Sequence, residues 1–100
     1  MTDELIKYHA LEFFRQHSRY LSEDSIFDIE RDLRNYQVEN RKLYEFKYQD
    51  AIEIGILKTY LLDNDIIIFK ESARVTGERL YGLSEYGKEL LKRNKEHSYQ

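Results

Sequence analysis

The stretch Tyr81-Gly82-Leu83-Ser84-Glu85-Tyr86-Gly87-Lys88-Glu89-Leu90-Leu91 decides how this chain is read. Arg79 to Leu83 has the character of a strand. Ser84 follows with a hydroxyl that can accept from the free backbone N–H groups at the start of a helix. Gly87, one turn in, leaves room for that helix to pack closely on its neighbour. Tyr86, Leu90 and Leu91 fall on its inner face at helical spacing. Lys88, Lys92, Arg93 and Lys95 suit the negative end of the helix dipole. The pattern predicts a helix from Glu85 to about Lys95.

Working back from that stretch, Ile66-Ile67-Ile68-Phe69 is mostly β-branched and bounded by turn residues, so it reads as a strand. The polar run from Glu71 to Glu78, with Gly77 near its end, returns the chain into Arg79–Leu83 as a hairpin. Asp63-Asn64-Asp65 breaks the element before it, and Asn64 tolerates the left-handed conformation that ends helices. Ala51, Ile54, Leu57 or Lys58, and Leu61 repeat at helical spacing, with Leu62 widening the face. The whole region from Glu39 to Leu62 reads as one long helix, or as two with a break near Tyr48-Gln49. Gly55 inside it costs about 1 kcal/mol relative to alanine, which predicts close packing there.

The front of the chain opens with a helix from about Asp3 to His17, capped by Thr2 or Asp3. Ile6, Ala10, Phe13, Phe14 and His17 form its inner face, and Leu5, Tyr8 and Leu11 widen it. Ser18 to Asp24 connects, with Leu21 turned inward. Ser22 or Ser25 caps a second helix reaching about Asn35. Its stripe is Ile26, Ile29, Leu33 and Tyr36, with Glu30, Arg31, Asp32 and Arg34 outside. The order helix, helix, helix, strand, loop, strand, helix predicts a mostly helical α+β fold in a single domain over 1–100, with a frayed tail from about 96.

Two segments carry a family resemblance. The run from Ala51 to Ile67 looks like the end of a recognition helix turning into a first wing strand, with Asn64 where glycine is usual. The run from Tyr81 to Leu91 is similar to the Tyr-x-Leu-Thr-x-x-Gly-x-x-Leu-Leu sequence that closes the wing in many MarR-like, PadR-like and small phage or prophage winged-helix proteins. The chain therefore resembles the winged-helix superfamily over its back half. The front half matches only in having helices of suitable length. The region 37–50 is longer than the usual turn, which leaves the start of the third helix open.

The resemblance implies double-stranded DNA as partner and transcription regulation as role. In such a fold the third helix enters the major groove and the wing meets the backbone or minor groove. The helix candidates are Asn40, Arg41, Lys42, Tyr44, Lys47, Tyr48 and Gln49. Basic groups among tyrosines suit phosphate and sugar, and Asn or Gln can read adenine. The same pattern also describes a solvated polar helix face. The wing candidates are Lys70, Arg74, Thr76 and Arg79, with Arg74 nearest the tip; as an ordinary hairpin loop the same charges would discourage edge pairing. The resemblance also implies a homodimer through the helix after the wing, for which Tyr86, Leu90 and Leu91 are available, although core packing explains them as well.

Charge sets a rival expectation. The net charge is −3, with five basic and nine acidic side chains over 1–39 against eleven and ten over 40–100. Any basic footprint is therefore local to the second part. The net charge and nine tyrosines favour a protein-binding winged helix without DNA binding, such as a phage or mobile-element protein docking onto a host protein.

Catalysis is not expected. His9 and His17 lie more than two helical turns apart, too far to share one metal ion unaided. Asp63-Asn64-Asp65 matches a calcium loop for three residues only, and no phosphate loop, dinucleotide fingerprint or nucleophile elbow occurs. No cofactor is expected. With no cysteine, disulfides and zinc–thiolate sites are excluded. The acidic N-terminus is unlike a signal peptide, and no apolar run approaches the ~20 residues of a membrane span. The expected compartment is cytoplasmic.

Overall fold

Helix α1 spans Asp3–His17. Its N-cap is Thr2, whose Oγ1 accepts from Leu5 N at 3.3 Å. Ala10, Phe13 and Phe14 are buried, and Ile6 and Leu11 pack at their margin. Leu5 and Tyr8, expected to widen this face, are exposed instead. His9 is buried, with Nδ1 3.3 Å from the Tyr36 hydroxyl. Burial lowers its pKa, against a smaller upward pull from Glu12. The computed structural model describes residues 2–40 and 50–97.

The segment after α1 departs from expectation. A single 3-10 turn at Ser18–Tyr20 leads to strand β1, Ile26–Phe27, and only then to helix α2, Ile29–Glu39. The cap of α2 is Asp28, whose carboxylate accepts from Arg31 N at 3.2 Å. Ser22 and Ser25 instead close their own turn, with Ser22 N donating to Ser25 Oγ at 2.7 Å. Ile26 is thus not on a helical stripe; it is 50 % exposed, while Phe27 is buried. A β-branched and an aromatic residue at this place pair with a free strand edge, and that pairing outcompetes the extra helical turn. The helix also runs further than expected, to Glu39, so Glu39 belongs to α2 and not to the third helix.

Helix α3 spans Asp50–Asp63 and buries Ile54, Leu57 and Leu61 against α1 and α2. Its end is tightly built. Asp65 N donates to Leu62 O at 3.1 Å and Ile66 N to Leu61 O at 3.0 Å. This pair of bonds needs a left-handed residue between helix and strand. That residue is Asp65, at φ 56°, and not Asn64. Asn64 instead donates its Nδ2 to Tyr60 O at 2.9 Å. Gly55 is exposed, and among the described residues an added Cβ would meet nothing within 4 Å, so no described residue packs closely on it.

Strand β2 (Ile67–Ser72) and strand β3 (Arg79–Leu83) form the hairpin. The sheet order is β1-β3-β2, all antiparallel, with a bulge between Phe69 and Glu71. β2 starts one residue later than expected and continues through Ser72, because Ile66 is spent in the turn. Helix α4, Glu85–His97, then covers the core with Leu91. Ser84 Oγ accepts from Gly87 N at 2.9 Å and itself donates to the Asp65 carbonyl. A Cβ on Gly87 would collide with the Ile66 carbonyl oxygen. The chain is α+β and mostly helical. Among the described residues no helix is long and apolar enough to cross a membrane.

Candidate nucleic-acid interface

With Ile54, Leu57 and Leu61 turned inward, α3 presents Gly55 and Thr59 outward. Lys58, one turn on from Gly55, lies between the two faces. Its Nζ stands 2.9 Å from Glu30 Oε1 on α2 and 5.2 Å from the centre of the Tyr81 ring on β3. The Glu30 bond is the largest cause of the raised Lys58 pKa and of the lowered Glu30 pKa. Tyr81 meets Phe69 edge-on at 6.1 Å, and the Arg79 guanidinium lies 5.6 Å from the Phe69 ring. A line of contacts therefore runs from α2 across α3 onto the inner face of the hairpin. Alongside it lies an open groove of about 410 Å³ between α2 and α3, lined by Glu30, Arg34, Ile54, Gly55, Lys58 and Thr59.

The hairpin extends beyond this line. Its loop is closed by Ala73 N to Glu78 O at 2.8 Å and Gly77 N to Ala73 O at 2.9 Å, with Gly77 at φ 71°. Arg74 and Val75 form the tip, and Val75 is 96 % exposed. Thr76 Oγ1 accepts from Glu78 N at 3.4 Å, so it also serves the loop. The hairpin cations do not share one face. Arg79 is on the inner side with Phe69. The aliphatic stem of Lys70 lies over Gly82 on the outer side, where a Cβ on Gly82 would stand 2.8 Å from Lys70 Cε.

The remaining candidates from sequence divide in two. Asn40 caps α2, its Nδ2 donating to Tyr36 O at 2.7 Å. Arg41, Lys42, Tyr44, Lys47, Tyr48 and Gln49 lie outside the described residues. Sequence reasoning missed Arg34, Lys58 and Thr59. Arg34 stood on the outer face of its helix, and Lys58 was an alternative to Leu57 on the apolar stripe. The available signal was that both carry cations on adjacent helices.

The family models, the curated proteins and the solved structures contain no match to this chain. On α4, Lys88 pairs with Glu85 at 3.4 Å, Lys92 with Glu23 at 3.2 Å and Arg93 with Glu89 at 4.0 Å, while Lys95 donates to Leu21 O at 2.7 Å. Among the described residues, Lys7, Arg19, Arg34, Lys70, Arg74 and Arg79 stand in no ion pair, although Arg34 helps to lower the Glu30 pKa and Arg19 that of Glu12.

A second concavity of about 270 Å³ lies between α1 and α2, beside His17 and Asp32. His17 Nε2 is 3.0 Å from Asp32 Oδ2. Burial pushes the Asp32 pKa up, but the His17 and Arg31 contacts together outweigh it and leave the carboxyl below its ordinary value. This pair joins two helices across the connection. Among the described residues no group of three or more His, Cys, Asp or Glu side chains is arranged to hold a metal ion.

Proposed function

We propose that this chain is a winged-helix protein that binds double-stranded DNA as a regulator. One observation carries the reading. The cations of α4 are paired with groups on the chain itself, whereas Arg34, Arg74 and Arg79, which form no ion pair among the described residues, lie along the α2–α3 groove and the hairpin. Those are the two places where a winged helix meets the duplex. The hairpin stands beside α3 through Lys58 and Tyr81, so helix and wing would address one duplex together. Arg74 and Arg79 would contact phosphate, and the face around Gly55 and Thr59 would enter or flank the major groove. Tyr86, 45 % exposed, is the apolar α4 residue left for a second copy, since Leu91 is already in the core.

The second reading is a protein-docking winged helix. It is favoured by Ile68, Phe69 and Val75, which are exposed on the hairpin, and by the net charge of −3.

Fluorescence anisotropy with a mixed pool of short duplexes, at low and at physiological salt, separates the two. Salt-sensitive binding weakened by Arg34→Ala and by Arg74→Ala is the expected result. Absence of binding at low salt would sink the DNA reading and favour a protein partner.

A further inference from the structure

We infer that the cavity between α1 and α2 binds an amidinium or guanidinium cation of about one-ring size, its charge against Glu39 and its apolar body against Tyr20. The inference is independent of the DNA reading, since it uses none of the residues that line the α2–α3 groove or form the hairpin.

Two helical stripes build the cavity. Phe13, Gln16, His17 and Tyr20 recur at i, i+3, i+4 and i+7 along α1 and the 3-10 turn that continues it. Asp32, Asn35, Tyr36 and Glu39 repeat that spacing along α2. The buried part is aromatic. Phe13 and Tyr36 meet edge-on at 5.7 Å, and His17 stacks on Phe13 at 5.2 Å. The Tyr36 hydroxyl is engaged by His9, so Tyr36 offers its ring. Tyr20 lines the same cavity yet is 82 % exposed, which places it at the mouth. Core packing gives no account of an aromatic ring there. The volume is about 270 Å³. An apolar cavity of about 150 Å³ already accepts benzene, so one ring with a polar substituent fits.

The polar side chains select the sign of the ligand. No lysine or arginine is among the lining residues. Asp32 is engaged, with Oδ2 3.0 Å from His17 Nε2 and Oδ1 3.3 Å from Arg31 Nε. Gln16 donates its Nε2 to Glu12, which leaves its Oε1 as an acceptor. Among the described residues, Asn35 makes no side-chain hydrogen bond and Glu39 stands in no ion pair. The cavity therefore offers a carboxylate and carboxamide oxygens above aromatic rings. An anion would be repelled by Glu39, and a neutral ring would leave that carboxylate unanswered. A planar cation donates two parallel N–H groups to one carboxylate and rests on a ring face. An amidinium or guanidinium does both. The same chemistry comes from a free aromatic cation or from an arginine side chain of a protein partner.

The test is an NMR titration of the full chain with benzamidine, benzyl alcohol and benzoate, which share one ring and differ in charge. Benzamidine is expected to move the amides of cavity residues on α1 and α2 with a Kd on the order of 1 mM. Benzyl alcohol and benzoate should bind about tenfold more weakly or worse. Glu39→Gln and Tyr20→Ala change exposed side chains, so each should leave Tm unchanged while weakening benzamidine about fivefold to tenfold. Glu89→Gln on α4 should leave its binding unchanged. Benzoate binding as tightly as benzamidine would overturn the choice of a cation. Benzamidine binding untouched by both Glu39→Gln and Tyr20→Ala would overturn the site, and so would the absence of any benzamidine-induced shift at about ten times the expected Kd. Blocked arginine, titrated alongside, separates the two sources. Tighter binding than benzamidine assigns the cavity to an arginine side chain of a partner, and weaker binding to a free aromatic cation.

Discussion

Helix α4 and the outer face of α3 each carry a glycine and a set of cations, and they use them in opposite ways. Around α4 the glycine and the cations are engaged, although Tyr86, expected on the inner face, is exposed. Gly87 is pressed onto the Ile66 carbonyl, Ser84 ties the helix start to the preceding turn, and Lys88, Lys92, Arg93 and Lys95 each find a carboxylate or a carbonyl. Around α3, among the described residues, nothing stands within reach of a Cβ at the glycine, and Arg34 and Arg79 form no ion pair, although Arg34 acts on Glu30 from a distance. Identical residue types thus take part in packing and pairing in one region and, among the described residues, largely do not in the other. Neither a glycine nor a basic cluster is informative until its surroundings are known.

The sharpest way to break this contrast is Gly87→Ala. The new methyl collides with backbone, which cannot rotate aside, so chemical denaturation should record a loss of about 2–3 kcal/mol. A neutral result would mean that α4 has slack, and the contrast with Gly55 would fail. Ser84→Ala comes next. It removes the cap on Gly87 N and the hydroxyl donated to the Asp65 carbonyl, and should cost about 1 kcal/mol, with Ser84→Thr recovering most of it.

Glu30→Gln sharpens the groove side. The Glu30–Lys58 pair is partly exposed, so its loss should cost less than about 1 kcal/mol. Releasing Lys58 should nevertheless tighten duplex binding and steepen its salt dependence. The pH dependence has a definite sign. Glu30 has a lowered pKa in the folded chain, so its contribution is complete above the unfolded carboxyl value of about 4.3 and is lost as pH falls through the lower folded value. Acid titration of the Glu30→Gln variant should lack that part of the loss. The smallest effect is expected from Lys92→Ala beside Arg79→Ala. Lys92→Ala should leave the salt slope of duplex binding unchanged, and Arg79→Ala should reduce it by about one. Equal reductions would place α4 in the interface and erase the distinction between the two regions.

Much of this was legible along the chain. The run from Leu83 to Leu91 announced strand, cap, close-packed helix and core leucine in that order, and each follows from a local rule of geometry. The start of α2 was misread because three candidate caps, Ser22, Ser25 and Asp28, compete within seven residues. The choice went to Asp28 because Ile26 and Phe27 found a partner in β3, more than fifty residues away. Asp65 rather than Asn64 took the left-handed position for a similar reason: the pair of bonds that ends α3 requires Ile66 to enter the core. The hairpin cations were visible as residues, but their faces were not. The bulge at Lys70 sends that side chain over Gly82 and away from Arg79.

Sequence alone determined α1, α4, the hairpin, the stop at residues 63–65 and the absence of thiol chemistry, because helical spacing, turn residues and composition are local properties. It also supplied a glycine at 55 and cations at 34, 58, 74 and 79, without showing which of them the fold would pair. Tertiary structure decided the third strand, the pairing of Lys58 with Glu30 over Tyr81, and the opposite fates of Gly55 and Gly87. Those outcomes depend on which distant atoms stand within a few ångströms, and spacing along a chain carries no record of that.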